Sequence, residues 1–154
     1  MMPVMCFGQV KVELTEKKTL KTTRKSEANV VIKVPITVDL NNYTHIAIIN
    51  SGVGNNGIKS TYDNLERELV DGPFAVLNPF VVDKKRAKKD GTMFLRETKN
   101  PNWLYFYYSV SRQGEDYEDY VRRIIIKDYQ NNILYNVSSI NAPIYEMVEP
   151  ILFF

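Results

Sequence analysis

The 154-residue sequence has little of the chemistry from which most enzyme active sites are built. It contains one cysteine, Cys6, and one histidine, His45. A single cysteine excludes an internal disulfide and a cysteine-based metal cluster. A single histidine excludes a multi-histidine metal site and leaves little room for a Ser-His-Asp triad, so we interpret His45 as a sheet residue that packs or hydrogen-bonds. The sequence therefore predicts no metal, no cofactor and no catalytic residues, and we interpret the chain as not an enzyme.

Long apolar runs and a strong charge of one sign are also missing. No stretch of about 18 or more apolar residues is present, so the sequence predicts no transmembrane helix. The net charge of +2 gives no electrostatic reason to expect a nucleic-acid partner. Apolar residues at 44% and charged residues at 25% are typical of a globular domain and not of a disordered tail. The length favours one domain.

The first residues leave the compartment open. Residues 1–9, MMPVMCFGQ, are apolar and carry no basic leader. They fit either the remnant of an export signal or an apolar N-terminal segment, ahead of a single α/β domain over residues 10–154. Cys6 does not lie in a lipoprotein box, because the preceding Pro3-Val4-Met5 lacks the expected small residue.

The stretch Tyr43–Phe80 gives the clearest architectural pattern. It contains an apolar strand pattern, a glycine-rich loop, a helical pattern and a second strand pattern: YTHIAIIN, SGVGNNG, STYDNLERELV and FAVLNPF. A unit of this kind places two strands side by side and a helix across one face of the sheet. Ser60 fits the N-cap of that helix, and Gly72-Pro73 ends it, so we predict a crossover helix over about residues 60–71.

The remaining patterns complete the predicted fold. Residues 15–25 are polar and predict a mobile or edge segment, and Pro35 predicts an edge position or a bulge in the strand that contains it. Strands are predicted at 10–14, 30–38, 103–110, 120–127 and 132–138, the last two forming a hairpin around residues 128–131. A helical stripe over 142–154 predicts a closing helix that Pro150 interrupts. We therefore predict an α/β (α+β) fold: a mixed sheet of about five to six strands, one crossover helix and a C-terminal helix packed on the sheet.

The glycine-rich loop supports an alternative function. Gly52, Gly54 and Gly57 satisfy the G-x-G-x-x-G pattern between a strand and a helix, as in loops that hold a pyrophosphate. Three features oppose this: the predicted cap at Ser60 lies beyond the last glycine, the region of Asn78 lacks an acidic residue for a ribose, and too few strand–helix–strand units follow. A flexible connection is the commoner interpretation. A nucleotide-binding enzyme using residues 52–57 remains an alternative hypothesis.

The block DKKRAKKD supports a second alternative. Its five basic residues are Lys84, Lys85, Arg86, Lys88 and Lys89. Such a block is usually a solvated helix turn or loop, but it could also be an anion patch of a nucleic-acid-binding or virion-associated structural protein. Because no aromatic residue is interleaved with the lysines, nucleic acid is the less favoured partner. The acidic block at residues 115–119 has the opposite sign and is compatible with self-association.

Four stretches together carry a resemblance to a known group: DLNNYTHIAIIN, YDNLERELVDGPFAVLNPF, WLYFYYSV and RRIIIKDYQNNILYNVS. Over about residues 39–139, the chain resembles the small extracytoplasmic α/β domains of the TolB amino-terminal and CsgG-like group and related bacterial envelope lipoproteins. The basic block and the segment GTMFLRETKNPN have no counterpart in that group. The resemblance implies a non-catalytic binding or assembly domain with a protein partner or self-association, and it carries over no functional residues. It also implies an extracytoplasmic location (periplasm, outer membrane or secreted), with the cytoplasm as the alternative, and favours an export signal at residues 1–9.

Overall fold

The computed structural model describes residues 14–19, 27–50, 58–90 and 93–154, which form a seven-stranded sheet with helices on both faces. The strands are β1 Leu14–Thr19, β2 Glu27–Val34, β3 His45–Asn50, β4 Ala75–Leu77, β5 Trp103–Gln113, β6 Asp119–Lys127 and β7 Ile133–Ile140. The α-helices are α1 Ile58–Leu69, α2 Pro79–Val82, α3 Lys84–Asp90 and α4 Ile144–Leu152. Two 3-10 helices, η1 Leu40–Asn42 and η2 Met93–Thr98, complete the described elements.

The sheet combines a parallel and an antiparallel half. Its strand order is β1-β2-β7-β6-β5-β3-β4, with β5, β3 and β4 parallel and every other pair antiparallel. Helix α1 connects β3 to β4 on one face, whereas α2, α3 and η2 connect β4 to β5 on the other. The predicted α/β class, with a mixed sheet and a C-terminal helix, is confirmed. The sheet has one strand more than the upper limit of the prediction.

Strand β3 is buried on both faces, as its sequence predicts. Its four central residues, at positions 46–49, have no exposed surface. Successive side chains of a strand point to opposite faces, so such a strand needs cover on both sides. On the α1 side, Tyr62, Leu65 and Leu69 belong to the same buried cluster as Ile46 and Ile48. The parallel pairing of β3 and β4 across α1 confirms the predicted strand–helix–strand unit.

The predicted aromatic strand and hairpin are also present. In β5, Trp103, Tyr105 and Tyr107 face α3 and η2, whereas Leu104 and Phe106 face the core beneath α1 and α4. Strand β5 lies between β3 and β6, which makes it the expected interior strand. Strands β6 and β7 pair antiparallel around the turn at residues 128–132.

The predicted start of the crossover helix is wrong. Helix α1 begins at Ile58, so Ser60 lies within its first turn and is not the N-cap. An ion pair of 2.7 Å between Lys59 and Asp63, one helical turn apart, supports the helical conformation of the residues between them. The helix therefore begins two residues before the position that the predicted cap indicated.

The N-terminal strands agree only in part with the sequence-based expectation. Residues 15–19, predicted as part of a mobile or edge segment, form with Leu14 the edge strand β1, which pairs with β2. Strand β2 ends at Val34, directly before Pro35, and lies between β1 and β7. The edge position expected from Pro35 is therefore wrong, whereas the alternative, a bulge, is present as a register shift between Ile32 and Val34. The strand predicted over 10–14 falls, apart from Leu14, outside the described residues, as do residues 1–9.

Helix α4 closes one face of the sheet. Its buried residues Met147, Val148, Ile151 and Leu152 pack in the same cluster as α1. The hydroxyl of Tyr135, on β7, donates a hydrogen bond of 2.5 Å to the carbonyl oxygen of Met147. Pro150 lies inside the helix and does not interrupt it, because the apolar face continues to pack beyond it. The predicted interruption is therefore wrong.

Candidate functional site

In open α/β sheets, ligands commonly bind at the carboxyl ends of the parallel strands. The glycine loop follows β3 at this end, but Gly52, Gly54 and Gly57 lie outside the described residues. Helix α1 begins at Ile58, directly after the last glycine. Ser60 is therefore not a late helix cap, and the position of the helix start does not oppose a phosphate loop. The scarcity of parallel strands still opposes a dinucleotide fold, since only β3, β4 and β5 are parallel among the described strands.

Asn78, at the carboxyl end of β4, connects the two layers of helices. It is 1% exposed, and its Nδ2 donates to Asp63 Oδ1 at 2.8 Å and to Glu66 Oε1 at 3.0 Å. Its Oδ1 accepts a hydrogen bond of 3.1 Å from the amide of Phe80 and so caps α2. The hydrogen bond from Lys59, and after it that from Asn78, lowers the pKa of Asp63. Because both donor hydrogens of Asn78 serve α1, this residue is a structural junction and does not face a ligand.

The basic block forms α3, and the contacts of Arg86 differ from those of the four lysines. Lys84, Lys85, Lys88 and Lys89 are exposed on the helix, while Ala87 between them is buried. The guanidinium of Arg86 instead lies 3.0 Å from a carboxylate oxygen of Glu97 and 5.1 Å from the ring centre of Phe94. Phe94, the aromatic residue packed against this helix, is thereby covered and offers no stacking surface for a base.

His45 occupies a packed position at the start of β3. Its Nδ1 lies 2.7 Å from Thr44 Oγ1, and its ring centre lies 5.7 Å from that of Trp103. These contacts agree with its interpretation as a sheet residue. Within the ranges that the structure describes, no three or more His, Cys, Asp or Glu side chains form a group that could hold a metal ion. In the same ranges, no helix has the length and apolarity needed to cross a membrane.

A small depression lies at the opposite end of the parallel strands, between η2 and the β6–β7 turn; we call it the Arg96 basin. It has a volume of about 130 Å³ and is lined by Arg96, Lys99, Tyr105 and residues 128–131. A guanidinium nitrogen of Arg96 donates to Asn131 Oδ1 and so joins the two walls. The basin is therefore built by segments that are distant in sequence.

The side of the sheet opposite α1 and α4 is only partly covered. Its helices pack on β3 and β5, and in the described chain none packs on the same side of β6, β7 and β2. We call this uncovered half the open face. From the strand registers, its side chains are Tyr107, Ser109, Val121, Arg123, Ile125, Asn136, Ser138, Ile140, Asn29 and Val31. All of them except the exposed Arg123 are partly buried.

The open face meets the Arg96 basin at Tyr107. The Nζ of Lys127 lies 5.0 Å from the ring centre of Tyr107. Burial raises the pKa of the Tyr107 phenol, and the nearby Arg96 guanidinium, which hydrogen-bonds the hydroxyl, partly opposes that shift. At the centre of the face, Oδ1 of Asn136 is buried and has no hydrogen-bond partner among the described residues.

The sequence alone did not predict the Arg96 basin or the open face. The segment GTMFLRETKNPN, which has no counterpart in the resembling group, contains Arg96 and Lys99. Val121, Arg123 and Ile125 lie at every second position of β6 and so share one face of the strand. Their mixture of apolar and charged side chains indicates a face that is neither core nor fully solvated. Neither signal identifies a site without the strand order, because the residues that complete each feature come from other strands.

Comparison with known proteins assigns no family. No protein-family model matches the chain, and no curated protein shows significant sequence similarity to it. The resemblance to the TolB amino-terminal and CsgG-like group therefore stays a hypothesis, based on the residue patterns and not on a detected relative.

Proposed function

We propose that this chain is a non-catalytic binding or assembly domain of the bacterial envelope, or a secreted one, that holds a protein partner on its open face. The observation that carries this proposal is the incomplete cover of the sheet. One face packs against α1 and α4, whereas the other leaves β6, β7 and β2 without a packed helix in the described chain. A sheet surface with aliphatic and polar side chains in alternating rows is suited to a flat protein contact.

The composition of the open face favours a protein over a membrane or a nucleic acid. Its central rows mix aliphatic residues with Tyr107 and Arg123, a combination typical of interfaces between proteins. Hydroxyl and amide groups between them, including the unpartnered Asn136 Oδ1, can form hydrogen bonds with a partner's backbone or side chains. A phosphate backbone would require more cations than this face carries. A lipid surface would require a larger continuous apolar area.

The charges around the open face indicate the chemistry of the partner. Arg123 lies near its centre, and Lys33 and Lys127 lie toward one end. The nearest carboxylate in the same strand, Asp119, already accepts a hydrogen bond of 2.9 Å from Asn141 Nδ2 at the far end. A partner with an acidic or hydroxyl-rich surface would complement this distribution, whereas a second copy of the same face would oppose like charges.

The non-catalytic and extracytoplasmic parts of the proposal have separate support. His45, the only histidine, is engaged with Thr44 and Trp103, and Asn78 is engaged with Asp63 and Glu66. The extracytoplasmic location is supported by the resemblance stated above. Fractionation of cells that express the native gene tests it, and a purely cytoplasmic pool would overturn the location while leaving the binding face to its own test.

Site-specific photocrosslinking tests the binding face. A photoreactive residue is incorporated at Ser138, in the middle of the open face, and in parallel at the exposed Lys88 of α3. After irradiation of intact cells, we expect one protein, identified by mass spectrometry, to be linked through position 138 and not through position 88. The purified pair should then bind each other, and Arg123→Glu should weaken that affinity by at least about tenfold, because it reverses the central charge.

A matched variant separates loss of binding from general charge effects. Lys88→Glu changes the net charge by the same amount on a helix away from the open face, so we expect less than a twofold effect on affinity. Crosslinks that arise only at position 88 would place the interface on α3 and refute the proposal. A product containing only this chain would show that the face self-associates, and would refute the heterologous partner.

A further inference from the structure

We propose that the Arg96 basin binds an oxyanion group, a carboxylate or a phosphate. This inference is independent of a protein partner on the open face. With about 130 Å³, the basin is too small for a nucleoside or a drug-sized molecule, which occupy pockets of roughly 300 Å³ or more. It is large enough for a single carboxylate or phosphate group. The proposed ligand is therefore one charged group, either free or at the end of a larger molecule.

Two cationic side chains line the basin from the same short segment. Arg96 uses guanidinium N–H groups for Asn131 and for the hydroxyl of Tyr107, and a guanidinium has five such donors. N–H groups therefore remain for a ligand. Lys99 has no hydrogen-bond or ion-pair partner for its ammonium group among the described residues. A planar guanidinium beside a free ammonium is well suited to the oxygens of a carboxylate or phosphate.

The one carboxylate in the basin is already engaged. Oδ1 of Asp128 accepts hydrogen bonds from the backbone amides of Gln130 at 2.9 Å and Asn132 at 2.8 Å. Its Oδ2 accepts a hydrogen bond of 2.9 Å from Asn132 Nδ2. These donors are neutral, so they hold Asp128 in the β6–β7 turn and leave its negative charge in place. Together with the positive charges of Arg96 and Lys99, the charged side chains that line the basin carry a net charge of +1, which favours an anion.

The position of Lys99 is held by a buried tyrosine. Thr98 Oγ1 donates its only hydrogen to the carbonyl oxygen of Leu95 at 2.7 Å, so the Tyr105 hydroxyl, 3.2 Å away, must donate to Thr98. The Tyr105 oxygen in turn accepts a hydrogen bond of 2.8 Å from the Asn100 amide. Residues on both sides of Lys99 are therefore fixed to the floor of the basin.

The backbone of Lys99 provides a further observation. Its φ angle is 49°, a left-handed conformation that glycine adopts more easily than lysine. The left-handed backbone of this lysine, whose ammonium lies unpaired at the rim of a depression, is a local strain of the kind that often occurs at ligand sites. The Arg96 guanidinium and the backbone around Lys99 are held in place before any ligand arrives, and this favours binding of a small anion.

The inference is tested by nuclear magnetic resonance on the full chain at low ionic strength. Inorganic phosphate, acetate and O-phosphoserine are titrated separately while backbone amide shifts are recorded. We expect saturable shifts at Lys99, Gln130 and Asn131 for at least one probe. Lys99→Gly removes the ammonium at a backbone position that suits glycine, so it should weaken binding by about tenfold without loss of folding. Lys88→Gln, on exposed α3, is the matched control and should change affinity less than twofold.

The outcomes distinguish a phosphate from a carboxylate ligand and include results that would refute the proposal. Tighter binding of phosphate and O-phosphoserine than of acetate would assign a phosphate ligand, and the reverse order would assign a carboxylate. Shifts that spread over the surface without saturation would refute the site. Equal weakening by Lys88→Gln would also refute it, since it would report the overall positive charge. Arg96→Lys, which retains a charge but loses the planar fork, should weaken binding if the guanidinium contacts the anion.

Discussion

The two faces of the sheet differ in how completely they are covered. Among the described residues, the face beneath α1 and α4 contributes to a cluster of 22 buried side chains, whereas the cluster on the other face has six and is restricted to β3, β5 and the helices above them. The contrast is sharpest along β6, where the adjacent residues Ile124 and Ile125 point in opposite directions. Ile124 has no exposed surface, and Ile125 lies on the open face.

The comparison shows that the two faces of one sheet contribute unequally to stability. Burial of apolar surface is the main favourable contribution to folding, and most of it lies on one side. Residues on the other side of β6, β7 and β2 are therefore less constrained by the core. They can carry exposed polar and charged groups, such as Arg123, at little cost to the fold.

The largest expected effect comes from truncating the two neighbouring isoleucines of β6. Ile124→Ala should lower the free energy of unfolding by about 3 to 4 kcal/mol, because it opens a cavity in a fully buried cluster. Ile125→Ala should cost about 1 kcal/mol, because its side chain is already partly in water. Urea denaturation, with the slope m compared between variants, measures both.

Equal losses in the free energy of unfolding for Ile124→Ala and Ile125→Ala would contradict the difference in burial between the two faces. They would mean that the open face is buried in solution, for example against a second copy. Repeating the Ile125→Ala measurement over a range of protein concentrations distinguishes this case, because burial between copies makes stability depend on concentration.

An intermediate effect is expected at the junction between the two helical layers. Asn78→Ala removes two hydrogen bonds to α1 and the cap of α2, and should lower the free energy of unfolding by about 2 kcal/mol. The exposed Asn42, in η1, provides the control, and Asn42→Ala should change stability by less than about 0.5 kcal/mol. Denaturation of both variants at neutral pH measures the difference. A loss no larger than that of Asn42→Ala would show that the layers are held without this residue.

Asn78→Ala should also change the titration of Asp63 at acidic pH. The pKa of Asp63 is lowered in the folded state, so its contribution is present at neutral pH and is lost as pH falls from about 4 through the folded value. Asn78→Ala should raise this pKa only partly, because the Lys59 hydrogen bond, the larger cause, remains. Carboxyl chemical shifts followed against pH would reveal it, and an unchanged titration would exclude the Asn78 contribution.

The parallel unit and the hairpin were predictable because their residues carry a local period. The apolar residues on both faces of β3 indicate a strand that is buried on both sides. The i, i+3, i+7 stripe of apolar residues in α1 indicates a helix and the side on which it packs. The exact start of α1 was not predictable from Ser60. The helix continues from Ser60 back to Ile58 and includes the Lys59–Asp63 ion pair, so a capping preference worth about 1 kcal/mol did not decide where it begins.

The elements that sequence reasoning missed lack such a period. Strand β1 was predicted only as a mobile or edge segment, because its mostly polar residues adopt a strand through pairing with β2. The Arg96 basin depends on a contact between Arg96 and Asn131, 35 residues apart, and the open face depends on the order β5-β6-β7-β2. Contacts of this range follow from topology, which residue spacing alone does not provide.

The smallest expected effect compares two tyrosines, one on each face. Burial raises the pKa of Tyr135 and that of Tyr107, so both phenols must ionise on unfolding at alkaline pH. Their contributions to stability are complete below about pH 10, the ordinary pKa of tyrosine, and decrease as pH rises through the folded values. At neutral pH, Tyr135→Phe should lower the free energy of unfolding by about 1 kcal/mol, since it removes the hydrogen bond to Met147. Tyr107→Phe should lower it by about 0.5 kcal/mol.

Between pH 9 and 11, the unfolding temperature should depend less on pH in Tyr135→Phe than in Tyr107→Phe. The reason is that Tyr135 is the more deeply buried, and that Arg96 opposes the pKa shift at Tyr107. The reverse order would show that the open face, and not the face beneath α4, is the drier environment.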